Sequence, residues 1–172
     1  YISKYDKELP PIQFPCVIKK PDSAFSQGVV RLLDLKELQK SLPQFFKTSD
    51  LLLIQPLIPT EFDWRIGVLD NKPLYDCRYH MAKGHWQIYN WNAKKKKEQD
   101  GDADCLPIEK VPKKVLDMAL KSARIMGKGL YGIDIKVVNN KPMVIEINDN
   151  PNVDFGVEDA FYGDVVYTEI LS

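Results

Sequence analysis

Apolar residues recur in short segments along most of this chain, either alternating with polar residues or running together, and turn-forming residues separate the segments. Such segments predict β-strands, and the short spacing between most neighbours favours antiparallel hairpins. The predicted strands cover residues 14–19, 28–33, 51–55, 63–69, 73–81, 86–91, 131–138 and 143–148.

Longer segments have the period of an amphipathic helix, at about residues 35–46, 112–126 and 157–171. Asp34 is the predicted N-cap of the first helix, and Glu37 completes a capping box. The predicted inward stripe of the second helix consists of Val115, Ala119, Ser122, Ala123 and Met126. Together these elements predict an α+β fold in two lobes, a smaller one at residues 1–55 and a larger one at residues 56–172.

Composition narrows the class of protein. The 172 residues suffice for one domain or two small lobes, and 24 basic residues balance 24 acidic ones, so no overall field attracts nucleic acid. Cys16, Cys77 and Cys105 lack metal-site spacing and suit reduced thiols in a cytoplasmic protein. Neither a signal peptide nor a membrane-length apolar run is found, so we expect no nucleic-acid or membrane partner. A homo-oligomer remains possible, and the start at Tyr1 without Met suggests a piece of a longer protein.

The segment from Val144 to Asn152 contains the most informative candidate site. Because side chains alternate along a strand, Glu146, Asn148 and Asn150 share one face, while Ile145 and Ile147 hold the other against the core. Upstream, Asp134 lies between two isoleucines, so its carboxylate also points away from the apolar face.

These oxygen ligands converge if Asp134 pairs with Glu146. That register requires an odd-numbered loop, for example residues 139–141, and Asn139-Asn140 suits the positive φ angles of such a loop. Oxygen ligands without His or Cys favour Mg²⁺ or Mn²⁺. The alternative is an acidic, solvated face of an amphipathic hairpin.

Two features of the smaller lobe are candidates for nucleotide binding. Lys19 ends an apolar strand and precedes a small-residue turn at residues 21–28, which can offer backbone N–H groups and Ser hydroxyls to phosphate. The alternative is a hairpin with an exposed Lys. Further on, the apolar strand at 51–55 stops at Pro56 and Pro59, which frees backbone groups for an adenine edge, although a core strand followed by a linker explains it equally well.

Asp63 and Arg65 share one face of their predicted strand, with Trp64 and Ile66 on the other. They form either a surface ion pair or, beside a nucleotide, a ribose acceptor and a phosphate-neutralising cation. The charged residues 94–104 have no apolar period and predict a mobile solvated loop, with a phosphate-binding basic patch as the alternative.

Six segments follow one another along the chain: Ile18-Lys19, residues 22–28, residues 55–58, Asp63-x-Arg65, Gly132-Ile133-Asp134 and the final Glu146-x-Asn148-x-Asn150-Pro151. In this order they resemble the motifs of the ATP-grasp superfamily. The nearest likeness is to RimK-like carboxylate-amine ligases, a group of glutamate ligases, and it spans about residues 14–159.

The resemblance implies that ATP lies between two lobes of antiparallel sheet with helices. The implied phosphate ligands are Lys19, Ser26, Gln27 and Gly28; the implied adenine edge is Gln55, Pro56, Leu57 and Ile58; and Asp63 holds ribose. The implied ligands of two Mg²⁺ ions are Asp134, Glu146 and Asn148, with Mn²⁺ possible, and the implied catalytic residues are Arg65, Lys83 and Asn150.

Two departures from the family pattern stand out. Ser23-Ala24 occupies loop positions where many relatives have glycine. The Arg-x-Asn motif before the last hairpin is not plain, and Gln87 and Asn90 are its nearest candidates, with Lys83 as a replacement cation.

The implied reaction joins a carboxylate to an amine, such as an amino acid, a peptide or a protein terminus, through an acyl phosphate made from ATP. The family also places another domain upstream, which helps to build the substrate site. A kinase acting on a hydroxyl, or a module that binds Mg·ATP without turnover, is the alternative function.

Overall fold

The computed structural model describes residues 1–22 and 27–172, and the chain divides into two compact units, Tyr1–Pro59 and Thr60–Ser172. Each unit contains an antiparallel sheet with helices, so the predicted α+β class is confirmed. The boundary between the two units lies between Pro59 and Thr60, whereas the sequence placed the lobe boundary after residue 55. Within the described part of the chain, no helix is both long and apolar enough to cross a membrane.

The first unit is built on a four-stranded sheet with the strand order β1-β4-β2-β3. Its core consists of Ile2, Cys16, Ile18, Leu32, Leu38, Phe45 and Leu52. Its elements are β1 (Ile2–Ser3), β2 (Cys16–Lys19), β3 (Val29–Leu32), α1 (Leu35–Phe45) and β4 (Leu51–Pro56).

Helix α1 begins with the predicted cap. The Asp34 side chain accepts a hydrogen bond from the Glu37 backbone N–H at 2.8 Å, and the Glu37 carboxylate accepts one from the Leu33 N–H at 2.7 Å. The side chain of Glu37 therefore reaches one residue further back than in the usual capping box, and the predicted N-terminus of the helix is confirmed.

The second unit is built on a five-stranded antiparallel sheet with the order β7-β6-β5-β8-β9. Two short 3₁₀ helices lie at Lys96–Glu98 and Ile108–Lys110. The strands are β5 (Phe62–Leu69), β6 (Lys72–His80), β7 (Ala103–Asp104), β8 (Leu130–Val138) and β9 (Lys141–Asn148), and the helices are α2 (Lys113–Met126), α3 (Glu158–Tyr162) and α4 (Val165–Leu171).

Helix α2 covers one face of the five-stranded sheet. Four members of its predicted stripe, Val115, Ala119, Ser122 and Ala123, are buried, but Met126 at the last turn is 49% exposed. The sheet meets the helix with Trp64, Ile66, Val68, Ile133 and Ile135. Each fully buried isoleucine contributes about 1.5–3 kcal/mol relative to an exposed one, so this helix–sheet contact is a major source of the unit's stability.

Two hairpins of this sheet use the same tight turn. Asp70-Asn71 joins β5 to β6 and Asn139-Asn140 joins β8 to β9, and all of these residues have positive φ, between 47° and 65°. Both are two-residue turns, and positive φ at both positions is the geometry that matches the right-handed twist of the flanking strands.

Three predicted elements are wrong. Residues 86–91, all of them described, form bends and turns with a bridge from Tyr89 to Asp100, and the rings of Tyr89 and Trp91 stack on each other at 5.5 Å. The predicted helix at 157–171 is split into α3 and α4, because Gly163 has a φ of 65° and ends the first helix.

The third correction concerns the charged segment 94–104, which is not a solvated loop throughout. Asp104 lies in β7, opposite Arg78, and its carboxylate accepts from the Arg78 guanidinium and lies 2.7 Å from His80 Nε2. Burial raises the pKa of Asp104, but the hydrogen bonds from Arg78 and His80 outweigh that effect and lower it below the usual range. These ion pairs hold β7, the edge strand formed by the end of the charged segment, against β6.

Candidate functional site

Charged and polar side chains gather on the face of the five-stranded sheet that α2 does not cover. Alternation along β5 and β8 directs Trp64, Ile66, Ile133 and Ile135 toward α2 and the intervening side chains to the opposite side. We call this surface the polar face; it consists of Asp63, Arg65, Tyr79, Asp134, Lys136, Glu146 and Asn148.

The predicted register of the last hairpin is confirmed, because Asp134 lies opposite Glu146. The predicted loop is wrong. The turn contains two residues instead of an odd number, and a register shift between Asp134 and Ile135 makes up the difference, with Ile145 as the extra residue of a β-bulge. As a consequence Val144, not Ile145, packs against the core together with Ile147.

The Arg65 guanidinium is bound to Asp134 through two parallel hydrogen bonds. Nε donates to Oδ1 at 2.7 Å and Nη2 donates to Oδ2 at 2.8 Å, and both side chains are about four-fifths buried. Burial lowers the pKa of Arg65, but the charge of Asp134 raises it by more than burial lowers it. The pKa therefore lies above its usual value, and the guanidinium stays charged. Asn148 Nδ2 lies 3.5 Å from Asp134 Oδ2, which brings a third predicted site residue to the same place.

A second ion pair lies beside the first. Lys136 Nζ donates to Asp63 Oδ1 at 2.5 Å and to Thr60 Oγ1 at 2.7 Å, and the Thr60 hydroxyl donates to the same Asp63 oxygen at 3.1 Å. Burial raises the pKa of Asp63, and the contact with Lys136 opposes that rise. The alternative that Asp63 and Arg65 form an ion pair with each other is therefore wrong, because each has a partner on β8.

The donor set fits a hard divalent cation. Asp134 and Glu146 are paired across the ladder and Asn148 is on the same face, so two carboxylates and an amide are close together. Mg²⁺ usually takes only a few protein oxygens and completes its shell with water and phosphate. Within residues 1–22 and 27–172, no group of three or more His, Cys, Asp or Glu side chains is arranged to hold a metal ion.

In the first unit, Lys19 is buried at the end of β2, between Val29 of β3 and Leu53 of β4. With 8% of its surface exposed, it is not the solvent-exposed Lys of the alternative interpretation. Gln27 and Gly28 lie in an exposed turn, where Gly28 has a φ of 69°. Ser26, like Ser23-Ala24, lies outside the described residues.

The predicted adenine edge begins inside the sheet. Gln55 pairs with Val17, and the Leu57 N–H donates to the Pro15 carbonyl at 3.0 Å. Since hydrogen-bonding direction alternates along an antiparallel strand, the carbonyl of Pro56 points away from β2. Gln55 is thus inside the ladder, as the predicted strand 51–55 requires, and Leu57 also bonds to the chain before β2, while Pro56 keeps an outward acceptor.

A cavity of about 380 Å³ borders this edge within the first unit, where Ile54, Gln55 and Pro56 form part of its lining. Ile58, the last predicted residue of the adenine edge, lies beyond the end of β4 and is partly buried.

The remaining predicted residues lie away from the strands of the polar face. Lys83 occupies an exposed turn after β6, and Asn150 an exposed bend after β9. Gln87 and Asn90 lie in the irregular segment, where the Gln87 carbonyl accepts from the Ala82 N–H and the Asn90 N–H donates to the Gln99 carbonyl.

Lys136 and Thr60 were missed by the sequence interpretation. Lys136 stands two residues after Asp134, so alternation alone indicates a shared face, but its partner Asp63 is distant in the sequence. Lys136 and Asp63 meet only because β5 pairs with β8, and that pairing cannot be predicted from a local sequence pattern.

Comparisons with known proteins identify the family and the fold of this chain. Residues 3–154 match the model of the family described as D-ala D-ala ligase C-terminus. A curated protein named probable alpha-L-glutamate ligase, from Saccharophagus degradans, is 28% identical over 153 residues, which cover 88% of this chain and 47% of that protein. A second protein of that name, from Shewanella loihica, is also 28% identical over 153 residues, with the same coverage.

The fold also has solved counterparts. The D-alanine–D-alanine ligase of Bacillus anthracis complexed with ATP superposes with a TM-score of 0.68 at 18% identity, over 91% of this chain and 52% of that one. The ATP-grasp ligase PsnB, complexed with a phosphomimetic variant of its minimal precursor, Mg and ADP, superposes with a TM-score of 0.59 at 17% identity, over 91% and 46%.

The chain thus spans about half the length of the curated relatives it matches. The expected resemblance to the ATP-grasp superfamily and its RimK-like glutamate ligases is confirmed. With most of its residues matched by one family model, and with the corresponding fold, the chain belongs to the D-ala D-ala ligase C-terminus family of ATP-grasp proteins.

Proposed function

We propose that the full-length protein is an ATP- and Mg²⁺-dependent carboxylate-amine ligase that adds an amino acid such as glutamate to its acceptor. The observation that carries this proposal is the facing of Asp134 and Glu146 across the last hairpin, with the Arg65 guanidinium on the same face. Relatives named as glutamate ligases and a ligase complexed with ATP support the same class of reaction.

On the polar face, Asp134, Glu146 and Asn148 are the proposed ligands of Mg²⁺, as two ions or with Mn²⁺ in their place. Asp63 is the proposed ribose acceptor, in exchange for part of its contact with Lys136. Arg65 is proposed to neutralise the transferred phosphoryl group, since its planar guanidinium suits phosphate oxygens. Lys83 and Asn150 are further candidates near the reacting groups.

In the first unit, Lys19 and the turn residues Ser26, Gln27 and Gly28 are the proposed phosphate ligands. Lys19 lies at the end of β2 with 8% of its surface exposed, and a lysine ammonium is a good donor to phosphate oxygens. The segment Gln55 to Ile58 is the proposed adenine edge, with the Pro56 carbonyl as an outward acceptor.

The proposed chemistry has two steps. A substrate carboxylate oxygen attacks the γ-phosphorus of ATP, which gives an acyl phosphate and ADP. The amine nitrogen then attacks the acyl carbon, phosphate leaves with its bonding electrons, and the amide nitrogen releases a proton. Mg²⁺, when bound, offsets the negative charge of the transferring phosphoryl group, and Arg65 contributes a fixed positive charge on the same face.

We also propose a cytoplasmic location. Cys16, Cys77 and Cys105 are free thiols, and Cys16 and Cys77 are buried, as suits a protein of a reducing compartment.

The test is the substitution Glu146→Gln in the full-length protein. The amide removes one anionic ligand with little change of shape, so Mg²⁺-dependent ATP turnover should fall by roughly 100-fold or more while the thermal unfolding midpoint changes little. Turnover is measured as ADP release with pools of carboxylates and amines, and mass spectrometry identifies the product.

Glu109→Gln is the matched control, because Glu109 is exposed in a 3₁₀ helix. Unchanged turnover in Glu146→Gln would contradict the metal role. A phosphorylated product formed without an amine would favour a kinase, and Mg·ATP binding without any acceptor-dependent turnover would favour a binding module.

A further inference from the structure

The ring of Tyr79 supports the Arg65 guanidinium from β6. Arg65 Cζ lies 5.3 Å from the centroid of the Tyr79 ring, while the edge of the same guanidinium is bound to Asp134. A cation over an aromatic face is attracted by the ring, more so where water is excluded. Tyr79 is 8% exposed. Two contacts therefore fix the orientation of Arg65: Asp134 binds the edge of the guanidinium, and the Tyr79 ring lies against its plane.

The Tyr79 ring is itself anchored by a buried acid. Its hydroxyl donates to Glu158 Oε1 at 2.5 Å, and the other oxygen of Glu158 accepts from the Asp154 N–H at 2.8 Å. Glu158 has no exposed surface. A carboxylate is costly to bury without hydrogen bonds, so these two contacts tie Glu158 to the Tyr79 hydroxyl and to the Asp154 backbone.

Glu158 also holds the chain segment that follows β9, the strand of Glu146 and Asn148. Asp154 belongs to the segment after β9, and the Tyr75 hydroxyl donates to the Asn152 carbonyl at 3.2 Å. Pro151 packs closely over β8, since a Cβ on Gly132 would lie 2.7 Å from the Pro151 Cβ. The segment leaving Asn148 is therefore held against the strand that contains Asp134.

We propose that Tyr79 is a positioning residue, anchored by Glu158, that fixes the Arg65 guanidinium for contact with the γ-phosphate of ATP. This inference rests on the proposed function, and it adds residues that no metal-ligand or phosphate-loop pattern contains.

A second phenol–acid pair in the same unit provides the matched control. Tyr162 donates to Asp76 Oδ1 at 2.6 Å, and Asp76, like Glu158, has no exposed surface. This pair joins α3 to β6 and to the Leu106 carbonyl. Tyr162→Phe thus removes the same chemical group, likewise hydrogen-bonded to a fully buried acid, without removing the anchor beneath Arg65.

The experiment compares Tyr79→Phe with Tyr162→Phe in the full-length protein. Calorimetry in the presence of Mg²⁺ gives the Kd for ATP and for ADP, and their ratio isolates the contribution of the γ-phosphate. In Tyr79→Phe the preference for ATP should fall by roughly tenfold, on the scale of one charge-assisted hydrogen bond. In Tyr162→Phe the preference should equal that of the wild type, even though both variants lose stability.

A second readout needs no nucleotide. The Arg65 Nε–H signal in an NMR spectrum of ¹⁵N-arginine-labelled protein, assigned by its loss in Arg65→Lys, should broaden or shift in Tyr79→Phe and remain unchanged in Tyr162→Phe. If Tyr79→Phe does not fold, Glu158→Met, which keeps the side-chain length and removes the acceptor, takes its place in both measurements.

An unchanged ATP preference in Tyr79→Phe, or in Glu158→Met where that variant replaces it, overturns the proposal. If the wild type binds neither nucleotide, the proposed function fails, and the Arg65 signal then decides this inference alone: an unchanged signal overturns it, and a changed signal supports the anchoring of Arg65 by Tyr79.

Discussion

At the scale of single residues, four of the five charged side chains of the polar face form two neighbouring ion pairs. Arg65 of β5 binds Asp134 of β8, and Lys136 of β8 binds Asp63 of β5. The signs therefore alternate along each strand and oppose each other across the ladder, the arrangement in which cross-strand charges stabilise a sheet. Both pairs are largely buried, so removal of either member leaves a charge without its partner.

Asp76 illustrates an acid that is buried in the fold. The Tyr162 hydroxyl lies 2.6 Å from both Asp76 Oδ1 and the Leu106 carbonyl, but it has only one proton to donate. The Asp76 carboxylate and the Leu106 carbonyl therefore share a single phenolic proton. Burial raises the pKa of Asp76, in agreement with that geometry.

We expect Asp76→Asn to change the pH dependence of stability. A carboxyl whose pKa is raised by folding stabilises the protein fully below its unfolded pKa of about 4, and this contribution is lost as the pH rises through the folded pKa. Asn cannot ionise, so the variant does not lose this contribution. The free energy of unfolding of the variant, relative to that of the wild type, should therefore increase from acid to neutral pH. Urea unfolding at several pH values measures both.

The matched control is Asp117→Asn, on the exposed side of α2. If Asp76→Asn tracks the wild type across the whole pH range as closely as Asp117→Asn does, Asp76 is ionised in the native protein and the interpretation fails.

Alternation along a strand was enough to predict from the sequence that Asp134, Glu146 and Asn148 share a face. It was not enough to find Lys136 as the partner of Asp63 or Glu158 as the anchor of Tyr79. Those contacts depend on strand pairing and on chain segments far apart in sequence, and a local pattern has no information on either.

At the scale of elements, the hairpin of β8 and β9 combines a tight turn with a bulge. The turn Asn139-Asn140 pairs Val138 with Lys141, and the extra residue Ile145 then shifts the register so that Asp134 faces Glu146. The β5–β6 hairpin has the same plan, with a register shift between Gly67 and Val68. A bulge increases local twist, and it is set by packing against the rest of the sheet, which explains why turn propensity alone predicted the wrong loop.

We expect Asn140→Val to destabilise the second unit by about 1–2 kcal/mol, because Asn140 has a φ of 60° and a β-branched residue is strained there. Chemical denaturation measures the loss. Lys141→Val is the control, since Lys141 is exposed at the start of β9 and adopts a strand conformation. Equal stability of the two variants would show that the turn tolerates another conformation.

At the scale of the whole molecule, the chain has a separate hydrophobic core in each unit. The cluster around Ile18, Leu38 and Leu52 belongs to the first unit, and the cluster of α2 with the five-stranded sheet belongs to the second. The sequence predicted two lobes, with the smaller one ending near residue 55. The α+β class followed from periodicity, because periodicity reports burial directly.

We expect residues 60–172 to fold as an isolated fragment with a cooperative thermal transition, since they include a complete helix–sheet core. A fragment of residues 1–59 should be much less stable, because a domain of about 60 residues buries only about 60% of its surface. Circular dichroism on heating measures both. A gradual transition of the 60–172 fragment would mean that the second unit depends on the first.

The double hydrogen bond between Arg65 and Asp134 also has a thermodynamic consequence. Without it, Asp134 and Glu146 would face each other as like charges across a ladder, an arrangement that destabilises a sheet. The protein thus provides its own counter-ion. Under the proposed function, a metal ion reaching Asp134 exchanges one cation for another and gains only the difference in affinity. On that proposal phosphate gives the displaced guanidinium a new partner, so we expect nucleotide and metal to strengthen each other's binding, and neither alone to bind as tightly as the two together.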